Sequence, residues 1–96
     1  MIDDEFEWDT AKAQINLTKH EVDFEAASCV FGDFFAVERP DDRERGTEVR
    51  HLIIGVANGV LLTVVYTERG DRTRIISAGK ANRHEQREYY RSQTAD

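Results

Sequence analysis

Trp8, Lys12, Asn16, Lys19 and His20 recur at intervals of about four residues near the start of the chain. If the segment is helical, its 3.6-residue period gathers them into one stripe. Ammonium and imidazole groups in a row can hold a phosphate and move protons beside it. Lysines on a soluble helix are also the ordinary face turned to water. A tryptophan at the head of the stripe and a histidine at its end are the less routine part.

A second set lies in the other half of the chain. Asn58-Gly59 and Gly70-Asp71 interrupt three apolar runs, and Asn-Gly between such runs is a strong hairpin signal. If both are two-residue turns, Ala57 pairs with Val60, Arg50 falls opposite Thr67, and Thr67 falls opposite Arg74. Arg69 and Arg72 then share the same face at the turn. A slip of one residue would move Arg74 to the other face. Four arginines converging without an obvious acidic partner on that face point to a phosphate-rich ligand, because guanidinium binds phosphate bidentately and stays charged. Glu38, Glu68 and Asp71 are the alternative, as structural counter-ions.

Other chemistries find no support. His20, His51 and His84 are isolated from each other and from Cys29, so no zinc-ligand spacing is present. There is neither a glycine-rich phosphate loop nor a Gly-x-Ser-x-Gly elbow. The acidic pairs Asp3-Asp4 and Asp41-Asp42 fall in expected loops, as solvated groups. Cys29, in "EAASCVF", reads as a buried, inert thiol. The chemistry left standing handles phosphate with arginine, lysine and histidine, without metal or cofactor.

These residues need a scaffold. The 96 residues, 40% apolar and 33% charged, suffice for one folded domain spanning 1–96 and are too few for two. No secretory pattern or membrane-spanning run is evident, which makes the expected location cytoplasmic. The net charge of −6 is unevenly spread: residues 1–48 hold 14 acids and 5 bases, residues 49–96 hold 5 acids and 8 bases. An anionic partner for the basic half is one reading of that asymmetry, and a solvated surface is the other.

Asp9 can cap a helix running to about His20, and Asp23 a shorter one ending at Gly32 in the left-handed position, with Phe24, Ala27 and Phe31 facing the core. "FFAVERPDD" predicts a short strand stopped by Pro40, then a charged, flexible loop to about Glu48. Three antiparallel strands follow, apolar on both faces. Asn82 and Glu85 form a capping-box pair that opens a polar helix to about Arg91. The expected order is ααββββα, an α+β fold on a four-stranded antiparallel sheet.

"FEWDTAKAQINLTKHEVDFEAA" at 6–27, "TERGDRTRIISA" at 67–78 and "RHEQREYY" near the end resemble the BrnT family, toxins of BrnT/BrnA toxin–antitoxin systems. The positions that match its first signature are Trp8, Asp9, Lys12, Asn16, Lys19 and His20; those of the second are Arg69, Gly70, Arg74 and Ser77. The resemblance implies a RelE-like fold and an endoribonuclease that cleaves RNA and blocks translation. It also implies neutralisation by BrnA, a ribbon-helix-helix antitoxin, whose complex with the toxin represses its own operon, so that operator DNA is met only through the complex.

On this reading His20 or Lys19 acts as general base or acid while the RNA 2′-hydroxyl attacks the adjacent phosphate. Arg69 and Arg74 stabilise the charge that develops. Trp8 stacks a base; Lys12, Asn16, Arg50, Arg72 and Lys80 bind RNA. The departure is Gly79, where such sequences commonly carry arginine after Ile-Ser-Ala. That glycine is either turn chemistry between strand and helix or the vacancy left by a working arginine, with Lys80 as a partial substitute. In the second case the chain is a disarmed toxin that still binds its antitoxin as co-repressor.

Overall fold

The computed structural model describes residues 5–42 and 48–94. Nine elements follow in order: β1 (Phe6–Glu7), α1 (Thr10–His20), α2 (Phe24–Cys29) with a 3₁₀ turn (Val30–Gly32), β2 (Val37–Pro40), β3 (His51–Ala57), β4 (Val60–Arg69), β5 (Arg72–Lys80) and α3 (Arg83–Thr94). The strands form one sheet in the order β1-β5-β4-β3-β2. The α+β class and the helices agree with expectation. The strand count differs, because two residues before the first helix add a parallel edge strand: Phe6 pairs with Thr73 and Glu7 with Arg74. A two-residue strand has no period to detect, so the sequence carries little signal for it.

The predicted register is present where it matters. Ala57 faces Val60, Thr67 faces Arg74, and Arg69 faces Arg72. Val65 faces Ser77 and Tyr66 faces Ile75, so Ile76 is an extra residue and β5 bulges there. Asn58 (φ 52°) and Gly59 (φ 79°) supply the positive dihedrals of the β3–β4 turn.

Both faces of the sheet are covered. Val22, Phe24, Ala27 and Val30 pack on Ile53, Val64, Tyr66, Ile75 and Ala78, with Trp8 in the same cluster. Leu52, Ile54 and Val65 face the opposite way, with Ala81 just before α3 and Tyr89 in its middle. Several local expectations are corrected. Gly32 is not left-handed; that conformation falls on Glu21 (φ 60°), which closes α1 by donating to the Leu17 carbonyl. Cys29 is exposed because it sits on the outer side of α2. Asp41 is buried, and residues 43–47 of the charged loop lie outside the described residues.

α3 is polar and is held mainly by directed bonds. Asn82 and Glu85 cap it reciprocally, each side chain accepting from the other's backbone N–H at 2.8 Å. Arg39 donates to both oxygens of Glu88, at 2.8 and 3.1 Å. The Tyr89 hydroxyl donates to Asp33 at 2.6 Å, and Asp33 also accepts from the N–H groups of Val56 and Phe35. Burial pushes Tyr89 up to about 12, and the bond to Asp33 adds to it, so the hydroxyl stays a donor. Burial pushes the Asp33 carboxyl up, but the bonds from Tyr89, Val56 and Phe35 override it and leave its pKa lowered. The bond from Arg39 holds Glu88 low.

A carboxyl whose folded pKa lies below its unfolded value stabilises the fold above the unfolded pKa, and that contribution is lost as pH falls through the folded one. The thermal midpoint is therefore expected to fall below about pH 4, the ordinary carboxylate range. Tyr89→Phe should cost about 2 kcal/mol at neutral pH and make the acid drop shallower. Circular dichroism melts of both proteins across the acid range check both effects.

Candidate functional site

The site is built where β1 stops. β1 pairs with β5 only through Glu7, which leaves the rest of that edge of β5 without a strand partner. α1 lies there instead, started by Asp9, whose carboxylate accepts from the N–H groups of Ala11 and Lys12. The bond from Lys12, with that from Ala11 and the charges of Lys12 and Arg74, holds the Asp9 pKa low against its desolvation. Asn16 fixes the helix to the strand. Its carbonyl accepts from Ala78 N–H at 3.1 Å, and its amide donates to the carbonyls of Ala78 at 2.8 Å and Val22 at 2.9 Å. One side chain thus does for Ala78 what a neighbouring strand would do.

A cleft of about 190 Å³ runs between the two elements, lined by Lys12, Ile15, Asn16, Lys19 and His20 from α1 and by Ile76 and Ser77 from β5. The two sequence signatures therefore meet across it. Lys12, Lys19 and His20 are exposed. Gly79 stands at its far end. A Cβ placed on it would lie 3.7 Å from His20 Nδ1 and 3.8 Å from Cγ, which is ordinary van der Waals contact. Gly79 is a strand residue paired with Thr63, and it does not adopt a positive φ. The backbone there has no need of glycine.

Other candidates are dispersed or occupied. Trp8 is only 9% exposed and stands edge-on to Phe24, 5.8 Å between centroids, so a base cannot stack on it without displacing the core. Asn16 is buried in its structural role. Lys80, one residue on from Gly79, belongs to the opposite face by strand alternation and lines a separate groove with Leu17, Glu21 and Asp23. It does not stand in for a side chain at 79.

The arginines have acidic partners that the sequence did not suggest. Arg74 Nη1 donates to Glu7 Oε2 at 2.7 Å. Arg69 donates to Glu48 at 3.2 Å, and Arg50 lies 3.8 Å from the same carboxylate. Arg72 is half-buried at the β4–β5 turn. Glu38 instead accepts from the Tyr66 hydroxyl at 2.8 Å on the other face, where His51 stacks on the Tyr66 ring. The only sequence signal for Glu7 was its place between two core aromatics, which turns it outward. Glu48 gave none, because it follows a loop.

Arg74 meets α1 near Asp9, at the start of the helix, whereas Gly79 meets it at His20. Eleven residues of helical rise separate those ends, roughly 16 Å. A single phosphate cannot touch both. Among the described residues no three His, Cys, Asp or Glu side chains converge to hold a metal ion, and no helix is long and apolar enough to cross a membrane.

Residues 8–85 match the model of a family described as the ribonuclease toxin BrnT of type II toxin–antitoxin systems. The chain belongs to the BrnT family. No curated protein matches it. The match takes in α1, strands β2 to β5 and the cap of α3, and therefore both walls of the cleft. As a member of a type II toxin family, this BrnT protein has an antitoxin as its implied partner.

Because Asn16 carries the contact between those walls, Asn16→Ala should leave both polar groups of Ala78 and the Val22 carbonyl without their partner. The expected loss is about 3 kcal/mol, read as a lower urea midpoint, with amide exchange accelerating first in α1 and residues 76–80.

Proposed function

We propose that this chain is an endoribonuclease whose RNA strand lies in the cleft between α1 and β5, that it needs no metal cofactor, and that cleavage blocks translation. A ribbon-helix-helix antitoxin of the BrnA type neutralises it, and operator DNA is contacted only through their complex. The observation that carries this reading is the convergence of Lys12, Lys19 and His20 from one family signature with Ser77 from the other along one open cleft, with Arg74 three residues earlier on the same strand.

The length of that cleft gives the strand two phosphate positions. One is at Arg74, whose guanidinium can share its remaining donors with a phosphate. The other is at the His20 end, where Lys19 supplies an ammonium and His20 or Lys19 the proton transfer. The same chemistry serves either position: the 2′-hydroxyl attacks the adjacent phosphorus, the bond to the 5′-oxygen breaks, and a 2′,3′-cyclic phosphate and a 5′-hydroxyl remain. Arg69, exposed and paired with Glu48, and Arg72 and Arg50 extend the basic surface beyond the Arg74 end.

A second reading has its own support in the backbone. Since Gly79 has neither a positive φ nor a steric reason to be glycine, an arginine there would project beside His20 without strain. The His20 end would then be a disarmed site, and a chain with no other active end would serve as an antitoxin-binding co-repressor.

Single-stranded RNA incubated with the purified protein in excess chelator should yield 2′,3′-cyclic phosphate ends. Gly79→Arg should bind RNA more tightly, by about 1.5 to 3 kcal/mol for one charge-assisted contact. Cleavage by Gly79→Arg alone would favour the co-repressor reading, and cleavage that stops in chelator would overturn metal independence.

A further inference from the structure

We propose that Glu7 is the general base of this ribonuclease and acts at the Arg74 end of the cleft; the inference rests on the ribonuclease reading. Glu7 lies just outside the segment matched to the family, which begins at Trp8.

Its placement is fixed by contacts of the residues on either side. Phe6 packs on Phe31 with 5.2 Å between ring centroids, Trp8 packs on Phe24, and Thr73 N–H donates to the Glu5 carbonyl at 2.7 Å. With the aromatics on either side turned into the core, alternation along β1 turns Glu7 to the other face, opposite Arg74. One oxygen accepts Arg74 Nη1 at 2.7 Å; the side chain keeps 14% of its surface exposed and that of Arg74 27%. Among the described residues Glu7 has no other partner.

A carboxylate in this position works against simple RNA binding, because it cancels the charge that would attract a phosphate. It is useful in the reaction. A phosphate held by the outer donors of Arg74 places the neighbouring ribose beside the second oxygen of Glu7. That oxygen takes the 2′-hydroxyl proton as the 2′-oxygen attacks phosphorus. The bond from phosphorus to the 5′-oxygen breaks, and the leaving oxygen takes a proton from Lys12, one turn into α1. Arg74 stabilises the extra charge on the phosphoryl oxygens and remains protonated throughout. Water then returns the proton from Glu7 to Lys12.

The charged groups around Glu7 fit these roles. Asp9 is committed to the helix start by two backbone donors, so it is the poorer base. Arg72 stands on the same face of β5, and Arg69 at the end of β4, paired with Glu48, lies beyond it. At the other end His20 faces Gly79 and has no guanidinium partner there.

The test compares wild type, Glu7→Gln, Glu7→Asp and His20→Ala on a labelled single-stranded RNA, measuring Kd, kcat and the pH profile of kcat/KM, with thermal melts as the folding check. Glutamine keeps an acceptor for Arg74, so Kd should hold or tighten while kcat falls by about 100-fold or more, the usual contribution of a general base. The acidic limb of the profile should flatten in Glu7→Gln and return with Glu7→Asp. His20→Ala, which removes a group at the other end of the cleft, should lose less kcat than Glu7→Gln. Wild-type cleavage with an unaffected or faster Glu7→Gln would overturn the base assignment and leave the ribonuclease reading in place, as would loss of activity in His20→Ala alone. A wild type that cleaves no RNA overturns both.

Discussion

The bidentate contact between the Asn16 amide and the backbone of Ala78 is what the cleft depends on. Edge strands present alternating N–H and C=O groups that must find partners. In this fold a strand occupies the edge of β5 for only two residues, and a helix takes over the rest. A helix has no outward backbone groups with which to continue a ladder, so a side chain must do it, and asparagine is the short residue that offers both a donor and an acceptor in one plane. The handover sets the spacing between α1 and β5. It also turns Lys12 and Lys19, four residues before and three after Asn16, toward the same opening.

Electrostatics then decides what that opening is for. Four arginines on one sheet face would repel each other, and the structure relieves this by seating Glu7 and Glu48 among them. The Glu48 contacts are partly exposed and contribute little to stability, on the order of 0 to 1 kcal/mol. Their effect is to hold guanidinium groups in fixed orientations. The Glu7 pair is more enclosed, and it occupies one nitrogen of the Arg74 guanidinium. Among the described residues the lysines of α1 have no comparable acidic partner, so positive charge gathers along the helix side of the cleft.

Much of this was legible in the sequence because it rests on periodic or local signals. Asp9 and the Asn82–Glu85 pair announced their helices through capping chemistry, and Gly70-Asp71 set a register that brought Thr67 opposite Arg74. The misreadings about Asn16 and Trp8 are non-local. The spacing of Asn16 placed it on the stripe, but its burial depends on β5, sixty-two residues away. Trp8 shares the same stripe, and only its packing on Phe24 of α2 decides that its ring faces inward. β1 was missed because two residues have no pattern, and with it went Glu7 as the partner of Arg74. Lys80 was read as a neighbour of Gly79 because adjacency in sequence is adjacency in space except in a strand, where it means opposite faces.

Gly79 is the clearest instance of how backbone geometry narrows a question that composition leaves open. Glycine between a β-branched run and a helix cap suits a turn, and a turn glycine would be silent about function. The strand instead continues through Lys80, Gly79 pairs with Thr63, and its dihedral is one that any residue adopts. In a strand interior glycine lowers stability relative to a side chain that packs, and an L-side chain here would touch His20 without crowding it. Local folding therefore does not select this glycine. Beside His20 the strand presents no side chain at position 79, while Arg74 stands toward the start of α1, so the two ends of the α1–β5 interface are chemically unequal.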